Sequence, residues 1–317
     1  MTSLKKIELH LHLDGSISLD LASKLSGLSL GELKAKMIAP DKCFDLKDYL
    51  TRFDFPISLM QTRKNLELIS QDLVNRLEKD NVIYAEIRFA PAFFTKKGLT
   101  YEEIIESILT GVRKNKKVKT NLILCLMRGM DLETNLQVIE TASKYLNKGV
   151  VAIDLAGDEK QYKLKEYLPL FKKAKALNIP FTIHAGEVDE IDLQDAINLG
   201  LKRIGHGVFA IKNDNLLKQI QDKNILLEIC PTSNIQTNAF NSYKEHPVRL
   251  LYDKKININI STDNRTVSNT SLEREYKHLI KECNFTKEEL QEINKNSLNY
   301  AFLNPKEKIK LLEELEK

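Results

Sequence analysis

Cysteine is scarce in this chain of 317 residues, and its four copies, Cys43, Cys125, Cys230 and Cys283, lack the spacing of a metal site. Cys125 and Cys230 fall inside apolar runs, where a thiol behaves as a small hydrophobe. Free thiols of this kind fit a reducing compartment. Long hydrophobic runs are missing as well. No stretch approaches the ~20 apolar residues that span a bilayer, and polar and charged residues soon follow Lys5 and Lys6, leaving no apolar signal segment. These absences predict a soluble, cytoplasmic protein without a membrane partner. Charge of one sign is not in excess either: 48 Lys and Arg face 44 Asp and Glu, a formal net charge of +4. That is too mild to expect a nucleic-acid partner, and the mixed lysines and glutamates of Lys281 to Lys295 resemble an ordinary solvated helix face. No Gly/Ser linker or low-complexity segment interrupts the chain, so residues 1–317 read as a single domain.

What the chain does have is a series of eight short apolar runs: Ile7 to Leu13, Val82 to Phe89, Asn121 to Met127, Val150 to Leu155, Pro180 to His184, Arg203 to His206, Ile225 to Cys230 and Ile256 to Ser261. Each has the length and character of a buried strand. Segments of helical period lie between most of them, for example Leu164 to Leu177 and Asp192 to Leu199. Parallel strands need such crossovers. Eight units predict an α/β fold, a closed (β/α)8 TIM barrel, and 42% hydrophobic content suffices for its core.

Two regions exceed the simple repeat. The first crossover, from about Leu19 to Asn75, is far longer than one barrel helix needs. Within it Leu46, Tyr49, Leu50 and Phe53 recur at steps of three and four, one face of a helix, which predicts a helical cap over the barrel mouth. The charged stretch from Thr286 to Lys317 predicts extra C-terminal helices, with Thr286 and Glu289 spaced as a capping box.

Four of the histidines sit where predicted strands give way to loops, the place where barrel enzymes keep catalytic groups. His10 and His12 are two apart on the first strand and so share a face, a pincer that suits a divalent metal. Two imidazoles buried without partners are costly, and further donors are available. His184 ends the fifth strand and Asp263 the eighth, and closure of a barrel makes the eighth strand a neighbour of the first. Three imidazoles and one carboxylate leave a position open for water, as expected of catalytic zinc. His206, between Gly205 and Gly207, is either a fourth metal nitrogen or a base beside the metal; with His10, His12, His184 and Asp263 already sufficient, it is assigned to the attacking water. Glu187, three residues past His184, is either a helix cap or a group that reaches the substrate.

Five motifs then stand in order along the chain: His10-Leu-His12-Leu-Asp14-Gly, Asp154-Leu-Ala-Gly157-Asp-Glu, His184-Ala-Gly-Glu187, Gly-His206-Gly and Thr-Asp263. Together they resemble the adenosine deaminase family of metal-dependent amidohydrolases. The resemblance implies one zinc ion per subunit on His10, His12, His184 and Asp263. It also implies hydrolytic conversion of adenosine and 2′-deoxyadenosine to inosine and 2′-deoxyinosine. A zinc-bound water has its pKa lowered toward ~7, and His206 and Asp263 would orient it toward purine C6. Glu187 would protonate N1, which needs a carboxyl kept neutral by a dry site. By the same resemblance the Gly157 N–H meets N3, Asp14 binds the ribose 5′-hydroxyl and His12 borders the substrate. Leu46, Tyr49, Leu50 and Phe53 then form an apolar lid that excludes water.

One position departs from the family pattern. Many members carry a second Asp followed by Pro after the metal-binding Asp, where this chain has Asn264 and Arg265. An Asn amide donates to purine N7 without first binding a proton, so the change bears on specificity and pH profile, not on reaction class. Adenine deaminases carry Glu where this chain has the shorter Asp14, which favours a nucleoside. Deamination of aminofutalosine or another adenosine derivative is an alternative. An AMP deaminase needs a cationic phosphate pocket, and Arg88, next to Glu86 inside a strand, reads better as a structural ion pair. A nucleoside-binding protein without turnover would lack one of the catalytic groups, and none is missing.

Overall fold

The computed structural model describes residues 4–317. Among the described residues eight strands appear, β1 (Lys6–His12), β2 (Val82–Phe89), β3 (Lys119–Met127), β4 (Val150–Ala156), β5 (His184–Ala185), β6 (Arg203–His206), β7 (Leu226–Ile229) and β8 (Asn257–Ile260). All pairings are parallel, in the orders β1-β2-β3-β4 and β5-β6-β7-β8. Single bridges join the two sheets at both seams, Ile153 to Phe181 and Leu11 to Asp263. At the second seam the Asp263 N–H donates to the His10 carbonyl at 3.0 Å and the His12 N–H to the Asp263 carbonyl at 2.7 Å. The ring is the expected (β/α)8 barrel.

The fifth strand is where expectation and structure part. The apolar run begins at Pro180, yet the regular ladder covers only His184–Ala185. Pro180 has no N–H to give, so the run begins with its carbonyl accepting from Ile153 N–H at 3.0 Å and touches β4 through one bridge.

The crossover from β1 to β2 holds α1 (Leu19–Ser26), α2 (Leu30–Met37), α3 (Leu46–Leu50), α4 (Asp54–Leu59) and α5 (Arg63–Lys79). α5 packs along β2 and on α6 (Tyr101–Val112), as a barrel helix does. α3 instead belongs to a small apolar cluster in which Ala39, Cys43, Leu46 and Tyr49 close around Val267, a residue of the loop after β8. The remaining crossovers use α7 (Leu132–Tyr145), α8 (Leu168–Ala176), α9 (Leu193–Asn198), α10 (Asp214–Asp222), α11 (Pro231–Gln236) and α12 (Val248–Asp253).

Three helices follow β8: α13 (Leu272–Cys283), α14 (Lys287–Tyr300) and α15 (Pro305–Leu315). α14 opens on the expected capping box, with Glu289 N–H donating to Thr286 Oγ1 at 3.1 Å and Thr286 N–H to Glu289 Oε2 at 2.9 Å. Leu298, Leu311 and Leu315 pack on Ile7, Leu9 and Ile83 and close the end of the barrel where β1 and β2 begin. One apolar cluster runs from Leu11 to Ile293. Among the described residues no helix is long and apolar enough to cross a membrane, and the four cysteines are buried and unpaired.

Candidate active site

Alternation along β1 and closure of the barrel bring the histidines together at the strand ends. His10 and His12 come from β1, His184 opens β5, His206 ends β6, and Asp263 follows β8. Their ring centres are close: His10 stands 4.6 Å from His184, 4.8 Å from His206 and 5.3 Å from His12. Nitrogens of His10, His184 and His206 and an oxygen of Asp263 all lie within 4.8 Å of one another. His12 Nε2 is 3.2 Å from His184 Nε2 and 3.4 Å from Asp263 Oδ1. All five side chains thus converge, but the tight group of four contains His206, expected beside the attacking water, and not His12, expected as a ligand, which stands next to it.

His206 and Asp263 take left-handed backbone, φ 59° and 58°, at a cost of order 1 kcal/mol or more each that the surrounding structure must bear. The side chain that Gly205 lacks leaves room for an imidazole: a Cβ there would come within 3.0 Å of His10 Cε1.

Behind the cluster lies a layer of partners that motif spacing does not expose. His10 Nδ1 is 2.7 Å from Glu228 Oε2, and His184 Nδ1 is 2.9 Å from Asp154 Oδ2. Ser233 Oγ donates to Asp263 Oδ2 at 2.6 Å, and Asn234 Nδ2 is 3.1 Å from His206 Nδ1. Carboxylates behind metal-binding imidazoles fix the tautomer and raise donor strength. The one available signal for Glu228 in the sequence is a charge in the middle of an apolar run.

Electrostatics favour a cation at the centre. Burial lowers the His12, His184 and His206 imidazoles, keeping them neutral. For His10, burial and the Arg88 charge pull down, but Asp263 and Glu228 prevail and raise it. Asp263, despite burial, is held well below the usual carboxylate range by His10 and the other imidazoles. His10 Nε2 is buried without a hydrogen-bond partner. Neutral imidazoles, one carboxylate and an orphaned nitrogen form a donor set that fits a divalent metal.

Above this cluster is a cavity of about 610 Å³, within the range of small-molecule sites. His12, Asp14, Gly157, His184, Glu187, His206, Asp263 and Asn264 all line it, as do Leu46, Tyr49, Leu50 and Phe53 of the first crossover. The substrate-side residues expected from the sequence therefore share one space, and His10 lies fully buried beside it. Glu187 is buried, with Oε2 3.7 Å from His206 Nε2. Burial, reinforced by the negative charges of Asp263 and Glu159, pushes its carboxyl well above the ordinary value. The loop that carries it is pinned by Glu159, whose Oε1 accepts from the N–H groups of Glu187 at 2.7 Å and Val188 at 2.6 Å. Glu159 belongs to the second motif, but the sequence assigned it no role. Asp14, also buried, is pushed up to about 7 by loss of solvent.

Asn264 is held between the cap and the β1 loop. Its Nδ2 donates to the Tyr49 hydroxyl at 3.2 Å, and that hydroxyl is 2.7 Å from Ser268 Oγ. Its Oδ1 occupies the space of a side chain at Gly15, where a Cβ would lie only 2.0 Å away. Arg88, expected beside Glu86, is fully buried and pairs instead with Asp154 and Glu228, while Glu86 pairs with Arg203.

Comparison with known proteins agrees with this geometry. A family model described as adenosine deaminase matches residues 5–317. The chain is 40% identical over 326 residues to an adenosine deaminase of Clostridium perfringens, covering 98% of each chain. It is 42% identical over 322 residues to one of Clostridium botulinum, covering 97% of each. The solved N6-methyl-AMP deaminase from Arabidopsis thaliana is similar with a TM-score of 0.88 and 27% identity, over 99% of this chain and 97% of that one. The chain belongs to the adenosine deaminase family.

Proposed function

We propose that this protein is a zinc-dependent adenosine deaminase, hydrolysing adenosine and 2′-deoxyadenosine to inosine and 2′-deoxyinosine with release of ammonia. Residues 1–317 act as one catalytic domain, supported by the continuous apolar cluster, with the first crossover as its cap. His10, His12, His184 and Asp263 would hold the cation. When bound, zinc supplies a water whose pKa is lowered toward ~7. His206 and Asp263 orient the attacking water toward C6 of the purine. His206 takes a proton from that water as it adds to C6, and Glu187 gives its proton to N1 as the ring loses aromaticity. The C6–N bond then breaks as the amine takes up the proton from His206 and leaves as ammonia, and the remaining hydroxyl proton at C6 returns to Glu187.

On the substrate side, Gly157 N–H addresses N3, the Asn264 amide addresses N7, and Asp14 with His12 borders the ribose. Leu46, Tyr49, Leu50 and Phe53 cover the nucleoside and exclude water, strengthening the electrostatics beneath them. The observation that carries this reading is the buried Glu187, its carboxyl raised well above the ordinary value by burial, placed in the same cavity as the imidazole and carboxylate cluster. A phosphorylated substrate would meet the Asp14 carboxyl and an Arg128 guanidinium already engaged by Asp192 at 2.7 Å, with the exposed Lys96 as the further lysine or arginine on the wall.

An ultraviolet and product-mass assay of the zinc-loaded protein tests the proposal, using adenosine, 2′-deoxyadenosine, adenine, AMP, N6-methyl-AMP and aminofutalosine with a chelated control. Inosine from adenosine, abolished by chelation, is the expected result. Turnover of adenine, a nucleotide or aminofutalosine alone would keep the chemistry and refute the roles given to Asp14 and the lid.

A further inference from the structure

We infer that Arg88 is a positioning residue that sets His10 and His184 as one unit, an inference that rests on the metal-dependent reading above. Arg88 is fully buried on β2 and reaches beneath both imidazoles. Its Nη1 donates to Asp154 Oδ2 at 2.8 Å. Its Nη2 donates to Glu228 Oε2 at 2.8 Å and to the Leu9 carbonyl at 2.7 Å. The same two carboxylate oxygens face the imidazoles, Glu228 Oε2 at 2.7 Å from His10 Nδ1 and Asp154 Oδ2 at 2.9 Å from His184 Nδ1. One guanidinium thus ties together carboxylates from β4 and β7 and the backbone of β1, and through them two imidazoles whose centres are 4.6 Å apart.

The chemistry of the fork explains why an arginine stands here. A carboxylate facing a guanidinium is an acceptor only, so His10 keeps its proton on Nδ1 in its hydrogen bond with Glu228. His184 Nδ1 faces Asp154 Oδ2 at ion-pair distance without a hydrogen bond of its own, and we infer the same Nδ1–H tautomer there, with both Nε2 lone pairs turned toward the cation site. A planar guanidinium presents donors in fixed directions and can hold both oxygens at once, whereas a lysine ammonium is a point charge on a flexible stem. Glu228 is braced on its other oxygen by Arg203 Nε at 2.7 Å and Thr182 Oγ1 at 3.1 Å. Asp154 has no such second anchor: its Oδ1 is buried without a partner. The position of His184 therefore depends on Arg88 more than that of His10 does, and movement of Asp154 passes through Arg88 to Glu228.

The test uses full-length, metal-free protein, in which histidine nitrogen chemical shifts read the tautomers, and a chelator competition that reads zinc affinity. Asp154→Asn is nearly isosteric and, of the two imidazoles, touches His184 alone. The expected result is that the His10 resonance also moves away from the Nδ1–H tautomer and that zinc affinity falls by about 10- to 100-fold. Arg88→Lys is expected to disturb both histidines, His184 the more. A His10 resonance unmoved by Asp154→Asn overturns the proposal, as does an Arg88→Lys variant with wild-type tautomers and affinity. If the wild-type protein itself takes up no zinc, the metal-dependent reading fails, while the tautomer shifts still decide the role of Arg88.

Discussion

Replacing Glu187 with Gln removes one proton and almost nothing else. The side chains are nearly isosteric, and the loop position is held through the backbone N–H groups that Glu159 accepts, which the substitution leaves in place. The cluster of His10, His12, His184 and Asp263 is untouched. A positioned general acid contributes roughly 10²- to 10⁴-fold, or about 3–5 kcal/mol of barrier, and a carboxamide supplies none of it. Turnover of adenosine at saturation should therefore fall by at least ~10²-fold, with zinc content and KM near those of the wild type. A second readout comes from linkage. The folded carboxyl is raised, first by burial and then by the charges of Asp263 and Glu159, so the native state holds a proton that the unfolded chain releases near pH ~4.3. The contribution of Glu187 to stability is full below that pH and is lost as pH rises through the folded value. Measured on metal-free protein by thermal melts, the Gln variant should gain on the wild type as pH rises above ~4.3. Turnover within about tenfold of wild type would remove Glu187 from the role of acid. A stability gap that does not grow with pH would show that its carboxyl is not held neutral.

Tyr49→Phe removes the hydroxyl that joins Asn264 and Ser268. A buried amide donor left without a partner costs about 1–2 kcal/mol, expected as roughly a tenfold rise in KM for adenosine with kcat little changed; an unchanged KM would detach the cap from Asn264. Gly15→Ala places a Cβ 2.0 Å from Asn264 Oδ1 and must expel that side chain, so kcat/KM for adenosine should fall while 7-deazaadenosine, which lacks the N7 acceptor, loses less. Equal losses on the two substrates would take N7 away from Asn264. Chelation should abolish turnover and lower the melting temperature: metal at a thousandfold above its Kd stabilises by about 4 kcal/mol, so a melt indifferent to chelator would exclude tight metal binding.

The parts of this molecule that were legible in the sequence are those written in local pattern. Strands appear as apolar runs, and His10 and His12 share a face because alternate strand residues do. Asp263 could be placed beside them because a closed ring makes β8 a neighbour of β1, and the seam there is the Leu11 to Asp263 bridge. The fifth run pairs with both neighbours from Pro180 onward, through the Phe181 bridge and the Ile183 carbonyl, although its regular ladder is confined to His184–Ala185. Long-range pairing was the harder matter. Glu86 and Arg88 are two apart on one strand and so point the same way, which made a local pair plausible. In the closed barrel they occupy successive levels, however, and each meets a charge from another strand. Glu86 takes Arg203 at 2.5 Å, and Arg88 bridges Asp154 and Glu228 at 2.8 Å each. Charges inside apolar runs announce that such partners must exist, since an unpaired buried charge is too costly to keep. Which partner each finds is decided by strand register around the ring. The same register carries Glu228 to His10 and Asp154 to His184, so the layer that orients the imidazoles is a product of barrel closure, whereas the imidazoles themselves are a product of motif.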